Sequence, residues 1–106
     1  MIVRTWRATA TSKGADTYQR HFASTVIPHL KAIKGFSGAS LLRREVDGRV
    51  ELVTLTLWQS LDSIHGFTGP DPNQAIVDAE AQTMLTTFDT TAGNYDLVLE
   101  ERSAAK

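Results

Sequence analysis

The sequence predicts an α+β fold: a ferredoxin-like antiparallel sheet with helices on one face. Three observations carry that prediction. The run Val50–Trp58 (Val-Glu-Leu-Val-Thr-Leu-Thr-Leu-Trp) is rich in β-branched and apolar residues and holds no Gly or Pro, which marks a strand. Asp47-Gly48 joins it to a second such run, Phe36–Val46, and Asp-Gly tolerates the positive φ that a type I′ hairpin turn needs. Around this hairpin the elements read strand, helix, strand, strand, helical segment, strand, which is the βαββαβ order.

The turn sets a register. Val46 stands opposite Arg49, Glu45 opposite Val50, Arg44 opposite Glu51 and Arg43 opposite Leu52, continuing to Ser37 opposite Trp58. The opposite charges of Arg44 and Glu51 support the pairing. Alternation then places Gly38, Ser40, Leu42, Val53, Leu55 and Leu57 on one face. Ser37, Ala39, Leu41, Leu52, Thr54, Thr56 and Trp58 fall on the other, where small and hydroxyl side chains beside one indole leave room under a covering helix. Both faces are too apolar for either to stand in water. The face away from the helices is therefore expected to pack on a second copy, giving a homodimer through the open face of the sheet.

Taken in order, Ile2–Thr11 reads as a first strand whose faces carry Ile2, Arg4, Trp6 and Ala8 on one side and Val3, Thr5, Arg7 and Thr9 on the other. Ser12-Lys13-Gly14 breaks it, and a helix is expected from Asp16, which caps it with Gln19 completing a capping box. Tyr18, Phe22, Val26, Leu30 and Ile33 form its buried stripe. Pro28 removes the bond to the Ser24 carbonyl and predicts a kink there. Lys31 and Lys34 suit the C-terminal dipole, and Gly35 stops the helix. After the hairpin, Ser60 caps a short helix holding Leu61, Ile64, His65 and Phe67. Gly69-Pro70 ends it, and a further helix is predicted with Asp71 as N-cap and Pro72 in its first turn, its buried stripe being Val77, Ala81, Met84, Leu85 and Phe88. Thr91–Glu101 reads as the last strand. The expected organisation is one domain over 1–102 with a frayed tail over 103–106.

Composition narrows the function. Twelve acidic against eleven basic residues offer no electrostatic case for nucleic acid or an anionic membrane. There is no cysteine, so disulfides, thiol catalysis and thiolate metal sites are excluded. No run approaches the length of a membrane span, and Arg4 and Arg7 fall where a signal peptide would carry its apolar segment, so a cytoplasmic protein is expected. Gly-x-Ser-x-Gly elbows, phosphate loops and dinucleotide fingerprints are missing, which removes hydrolase and nucleotide-dependent readings. His21 and His29 lie eight apart with Pro28 between them, a poor spacing for a metal, and no metal site is expected.

The element order, with Leu-Thr-Leu-Trp-Gln-Ser at Leu55–Ser60, Arg4-Thr-Trp-Arg7, Gly35-Phe-Ser-Gly38 and Gly69-Pro-Asp-Pro-Asn-Gln-Ala75, resembles the antibiotic biosynthesis monooxygenase family of dimeric α+β barrels. The resemblance spans Ile2 to Glu101. It implies a homodimer, a pocket between helices and sheet, and a small aromatic ligand. The activity it implies is a cofactor-independent monooxygenase of an aromatic, polyketide or quinol-type substrate. Trp58 matches the tryptophan that ends the third strand and lines the pocket in many members. Other positions depart from the family. Ile64 stands where the anthrone oxygenases have a tyrosine, Thr54 where they have an asparagine, and Asn94 where close relatives have a histidine before Tyr95. The haem-degrading members carry a histidine in the helix corresponding to Gln74–Thr83, and this chain has none there, so no haem or other cofactor is expected.

The candidate site residues follow. Trp58, Tyr18, Phe22, Thr54 and Thr56 are the candidates for substrate binding, set against a plain core role. Arg7 is the candidate to hold an anionic or enolic oxygen, set against an arginine lying over apolar surface. His65 is the candidate proton acceptor, set against a solvated histidine. Asn94 and Tyr95 are weighed as polar groups near the rim, against a structural role. The reading is a cofactor-independent oxygenase. The alternative is a non-catalytic small-molecule binder or structural member of the same fold.

Overall fold

A computed structural model describes residues 1–104; the end of the predicted tail lies outside the described residues. Its centre is β1 (Ile2–Ala10), where Arg4, Trp6, Ala8 and Ala10 are buried on one side and Arg7 is exposed on the other. β2 (Phe36–Val46) and β3 (Arg49–Trp58) form the hairpin, and β3 pairs antiparallel with β1. The other edge of β1 receives two short antiparallel strands, β4 (Thr87–Phe88) and β5 (Gly93–Asp96). The sheet therefore runs β2-β3-β1-β4, with β5 also against β1. This is the ferredoxin-like arrangement, with the helices gathered on one face.

Asp47 and Gly48 both adopt positive φ, 52° and 78°, as a type I′ turn requires. The register follows the sequence prediction from Val46 opposite Arg49 through Gly38 opposite Leu57. At the far end it departs: a bulge puts Phe36, not Ser37, opposite Trp58. The extra residue brings the Phe36 ring edge-on to the indole, with centroids 5.4 Å apart, so an apolar ring rather than a serine covers Trp58.

The first helix starts earlier than predicted. α1 (Ser12–His21) is capped by Thr11, whose hydroxyl accepts the Gly14 N–H at 3.0 Å, and Asp16 lies inside it. Gly14 is no breaker here: a Cβ at that position would lie 2.4 Å from the Met84 carbonyl oxygen, so a close backbone approach demands glycine. Phe22–Val26 then widens into a π-turn before α2 (Ile27–Lys31), which has Pro28 in its first turn. The break therefore falls where proline withdraws the bond to Ser24, and the chain meets it by widening the turn. α3 (Leu61–Thr68) carries the predicted Ser60 cap, with the Ser63 N–H 3.2 Å from its hydroxyl.

The predicted helix after Asp71 is a strap instead. Asp71 makes a local turn, accepting from the Asn73 N–H at 3.0 Å. The backbone then runs extended, bridging Gln74 to Thr91, with Ala75 N–H bonded to Thr90 O and Ala92 N–H to Asn73 O. Only α4 (Ala79–Gln82) is helical, capped by Asp78. β-branched Ile76 and Val77 favour the extended path. The stripe Val77, Ala81, Met84, Leu85 and Phe88 still packs on the core. β5 is also shorter than the predicted last strand, ending at Asp96, and Val98 and Leu99 beyond it are exposed.

Two apolar clusters result. One gathers Trp58, Leu30 and Ile64 with Phe36 and Phe67 around them. The other runs from Trp6 through Ala8, Tyr18, Phe22 and Leu52 to Ala81. On the opposite face Val53, Leu55 and Leu57 are half-buried and Leu42 is exposed. Among the described residues no helix is long and apolar enough to cross a membrane.

Candidate functional site

A cavity of about 450 Å³ opens between the sheet, the first helix and the strap. That volume suits a small planar molecule. Its floor comes from alternating residues of two paired strands, Arg4 and Trp6 of β1 beside Thr56 and Thr54 of β3. Its roof is the stripe Tyr18, His21 and Phe22, which helical spacing brings to one side of α1 and the turn after it. Ala75 to Asp78 of the strap and Ala81 close the side, and His29 and Phe67 also line it.

Arg4 is the floor's charged group and is 4% exposed. Its guanidinium donates to the Pro72 carbonyl, to Gln74 O at 2.6 Å and to Asn94 Oδ1 at 3.1 Å, and it lies over the Phe67 ring, 5.7 Å from the centroid. These bonds go to neutral oxygens and leave part of the donor fork free. Burial pulls the Arg4 pKa below its ordinary value, with the Asp71 charge opposing; the group stays cationic at neutral pH. Among the described residues no carboxylate forms an ion pair with it. Trp6 is fixed by its indole N–H, 2.8 Å from Asp89 O.

The roof holds a second polar group. His21 is buried, its Nε2 is 3.0 Å from Asp78 Oδ2, and its Nδ1 is 3.6 Å from Glu80 Oε2. Burial would raise the Asp78 pKa, but the His21 bond, the Ala81 N–H and the charge of His21 outweigh it and hold the carboxyl below its ordinary value. Burial pushes the Tyr18 phenol well up, aided by the Asp78 charge, so it stays protonated.

The sequence-predicted residues divide. Tyr18, Phe22, Thr54 and Thr56 line the cavity together. Trp58 does not: it has no exposed surface, its N–H donates to Thr56 Oγ1 at 2.9 Å, and Phe67 stacks on it at 6.1 Å. It backs the wall that Thr56 forms. Arg7 lies on the opposite face of β1, because it is one residue out of phase with Trp6. His65 turns its Nδ1 to the Gly69 carbonyl, 2.8 Å away, and is absent from the lining. Ser37 and Ala39 line a separate shallow groove beside Ile27 and Lys31. Asn94 is structural, bonding Arg4 and the Pro72 carbonyl, while Tyr95 stands exposed. Sequence reasoning misses Arg4, Trp6 and His21 as lining residues, although alternation places Arg4 and Trp6 on one face.

No family model and no curated protein matches the chain. Solved structures do. A putative antibiotic biosynthesis monooxygenase from Bacillus cereus superposes with a TM-score of 0.68 at 16% identity, covering 96% of this chain and 97% of that one. Two further solved structures share the fold over nearly the whole chain. A mutant of MhuD, with two manganese protoporphyrin IX bound per active site, gives a TM-score of 0.67 at 19% identity over 97% of this chain and 100% of that one. SnoaB, a cofactor-independent oxygenase from Streptomyces nogalater, gives 0.60 at 18% identity over 93% and 95%. At such identities the likeness speaks for the fold.

Proposed function

We propose that the protein is a cofactor-independent monooxygenase of a small, electron-rich aromatic such as an anthrone, phenol or quinol. The observation that carries the reading is Arg4: a buried guanidinium, bonded only to neutral oxygens, on the floor of a cavity whose exposed walls are mostly apolar and whose other charged groups, Asp78 and Glu80, lie with His21 at the roof and side. An unpaired buried cation is costly, and an anionic ligand oxygen would offset that cost. Substrates of this class lose a proton to give an anion that reduces oxygen directly. For an anthrone, one atom of O₂ becomes the new carbonyl oxygen, and the other leaves as water with the two methylene hydrogens. What the protein must supply is an apolar enclosure, a donor for the oxyanion and a proton acceptor. Arg4 takes the donor's part. The fold shared with SnoaB, itself a cofactor-independent oxygenase, supports the reading.

The test is oxygen uptake. With an anthrone and neither flavin nor metal added, the protein is expected to consume oxygen, and Arg4→Met is expected to lose most of that rate. Binding without uptake across anthrones, phenols and quinols would instead establish a non-catalytic binder. The reading also includes a homodimer formed through the face of Leu42, Val53, Leu55 and Leu57. Leu55→Asp should dissociate it, because a buried unpaired carboxylate costs several kcal/mol. Sedimentation showing a wild-type monomer at micromolar concentration would refute that part.

A further inference from the structure

We infer that His21, held by Asp78, is the group that takes the proton from a phenolic or enolic ligand in this cavity. The inference rests on the oxygenase reading and supplies the base which that reading lacks. Among the described residues, His21 is the one in the lining whose imidazole is both buried and fixed by a carboxylate. A neutral ring that donates its Nε2–H to Asp78 Oδ2 at 3.0 Å leaves the lone pair on Nδ1. The nearest acidic oxygen to Nδ1 is Glu80 Oε2 at 3.6 Å, beyond hydrogen-bonding distance, on a side chain that is 68% exposed. Nδ1 is thus the uncommitted nitrogen, and Glu80 is free to turn toward water as a ligand enters.

The groups around the ring fit that role. Tyr18, whose ring centroid is 6.3 Å away, keeps its proton because burial disfavours the phenolate. Asp78 stays ionised and faces the ring from the strap, and Glu80 faces it from α4. When the ligand O–H passes its proton to Nδ1, the imidazolium lies between two carboxylates and the new oxyanion lies in the cavity with Arg4. Positive charge forms beside acids, and negative charge forms in a cavity that already holds a cation. His21 is the catalytic residue in this step. Asp78 is a positioning residue, fixing the tautomer from outside the reacting atoms.

The test needs no oxygen. 4-Nitrophenol absorbs differently as phenol and phenolate, so its ionisation when bound is read anaerobically by titrating pH. Wild-type protein is expected to ionise the bound probe at a pH at least about one unit below that of free probe, a tenfold shift. His21→Gln, which keeps a polar partner for Asp78, should bind the probe and retain only the part of the shift that the Arg4 charge supplies. Asp78→Asn, which retains the N-cap, should lose part of the shift. His21→Ala should regain it on addition of imidazole. If His21→Gln binds and ionises the probe as wild type does, the inference falls while the oxygenase reading stands. Failure of imidazole to restore ionisation in a His21→Ala variant that still binds also overturns it. Should wild type not bind the phenol at all, the cavity reading and the inference fall together. Folding of each variant is checked by far-ultraviolet circular dichroism.

Discussion

The two tryptophans of the inner sheet face sit in opposite kinds of surroundings. Trp58 is enclosed by Leu30, Ile64, Phe36 and Phe67, with its N–H satisfied two residues away on Thr56. Trp6, on the neighbouring strand opposite Thr54, keeps one side on the core and the other on the cavity. Side-chain size around them makes the difference. Rings and branched aliphatics enclose Trp58, whereas Trp6 meets Tyr18 and Phe88, at 6.2 and 6.5 Å, on its core side and adjoins small Thr54 and Thr56 where the strap, with only one turn of helix, closes the cavity's side. Close packing is the default in protein interiors, so a hole survives where small residues meet an irregular cover. A conspicuous aromatic at a strand end therefore marks the solid part of this core, and the space lies one strand over.

Truncation at the packed end should have the largest effect. Trp58→Ala removes a fully buried indole that its neighbours cannot replace, and should cost about 3–5 kcal/mol of stability. Chemical denaturation reads this directly. A loss below about 1 kcal/mol would mean that the Trp58 cluster is not the closed core described above.

Much of this architecture is legible in the sequence. Period-2 alternation and the Asp47-Gly48 turn set the hairpin register down to Gly38 and Leu57, because turn chemistry and side-chain period are local properties. The bulge at Ser37 is not legible, since it answers to the Phe36–Trp58 contact, which is tertiary. The strap reads as a helix because the sequence carries an N-cap pattern at Asp71 and a helical stripe over 77–88. The carbonyls of Pro72 and Gln74, however, are taken by Arg4 from the other end of the chain. The site follows the same divide. Tyr18, Phe22, Thr54 and Thr56 can be found because a face and a stripe select them. Arg7 looks as good a candidate as Arg4 because both strand faces are mixed, and only the pairing Arg4–Thr56 and Trp6–Thr54 tells which one faces the helices.

Arg4→Met tests the open end. It keeps an unbranched apolar stem, ending where the guanidinium begins, but leaves the Gln74 carbonyl without its donor, at about 1–3 kcal/mol for a buried unsatisfied group. Asn94 still serves the Pro72 carbonyl, so the strap should stay in place and the protein should fold. Affinity for an anionic phenol should fall about tenfold or more, near 1.4 kcal/mol, while a neutral ligand of the same shape is little changed. Equal losses for both ligands would mean that Arg4 holds the strap and does not read charge.

The fluorescence contrast is smaller in energy. A planar aromatic ligand should quench Trp6, which borders the cavity, and leave Trp58 emitting behind Thr56. Trp6→Phe should remove the quenched component and cost about 1 kcal/mol for the lost bond to Asp89 O. Trp58→Phe should leave the quenching intact. The reverse pattern would place the ligand beside Trp58 and invert the assignment of open and closed ends.

The smallest effect concerns acid stability at the roof. Asp78 has its folded pKa depressed, so its ionised form is favoured by folding, and it contributes stability at pH values above the ordinary carboxylate range. That contribution falls away as pH drops through the depressed value, where the folded carboxylate finally takes up a proton. About half of the Asp78 side chain is exposed, so water screens the pair and the contribution should stay under about 1 kcal/mol. Asp78→Asn isolates it, because asparagine still accepts the Ala81 N–H as a helix cap and only the charge is lost. Subtracting the variant's stability from that of wild type cancels the other carboxylates. The difference should be positive near neutral pH and shrink toward zero in strong acid. A difference that stays constant with pH would show that folding does not depress the Asp78 pKa, and would weaken the case that the Asp78 carboxylate holds the His21 Nε2–H.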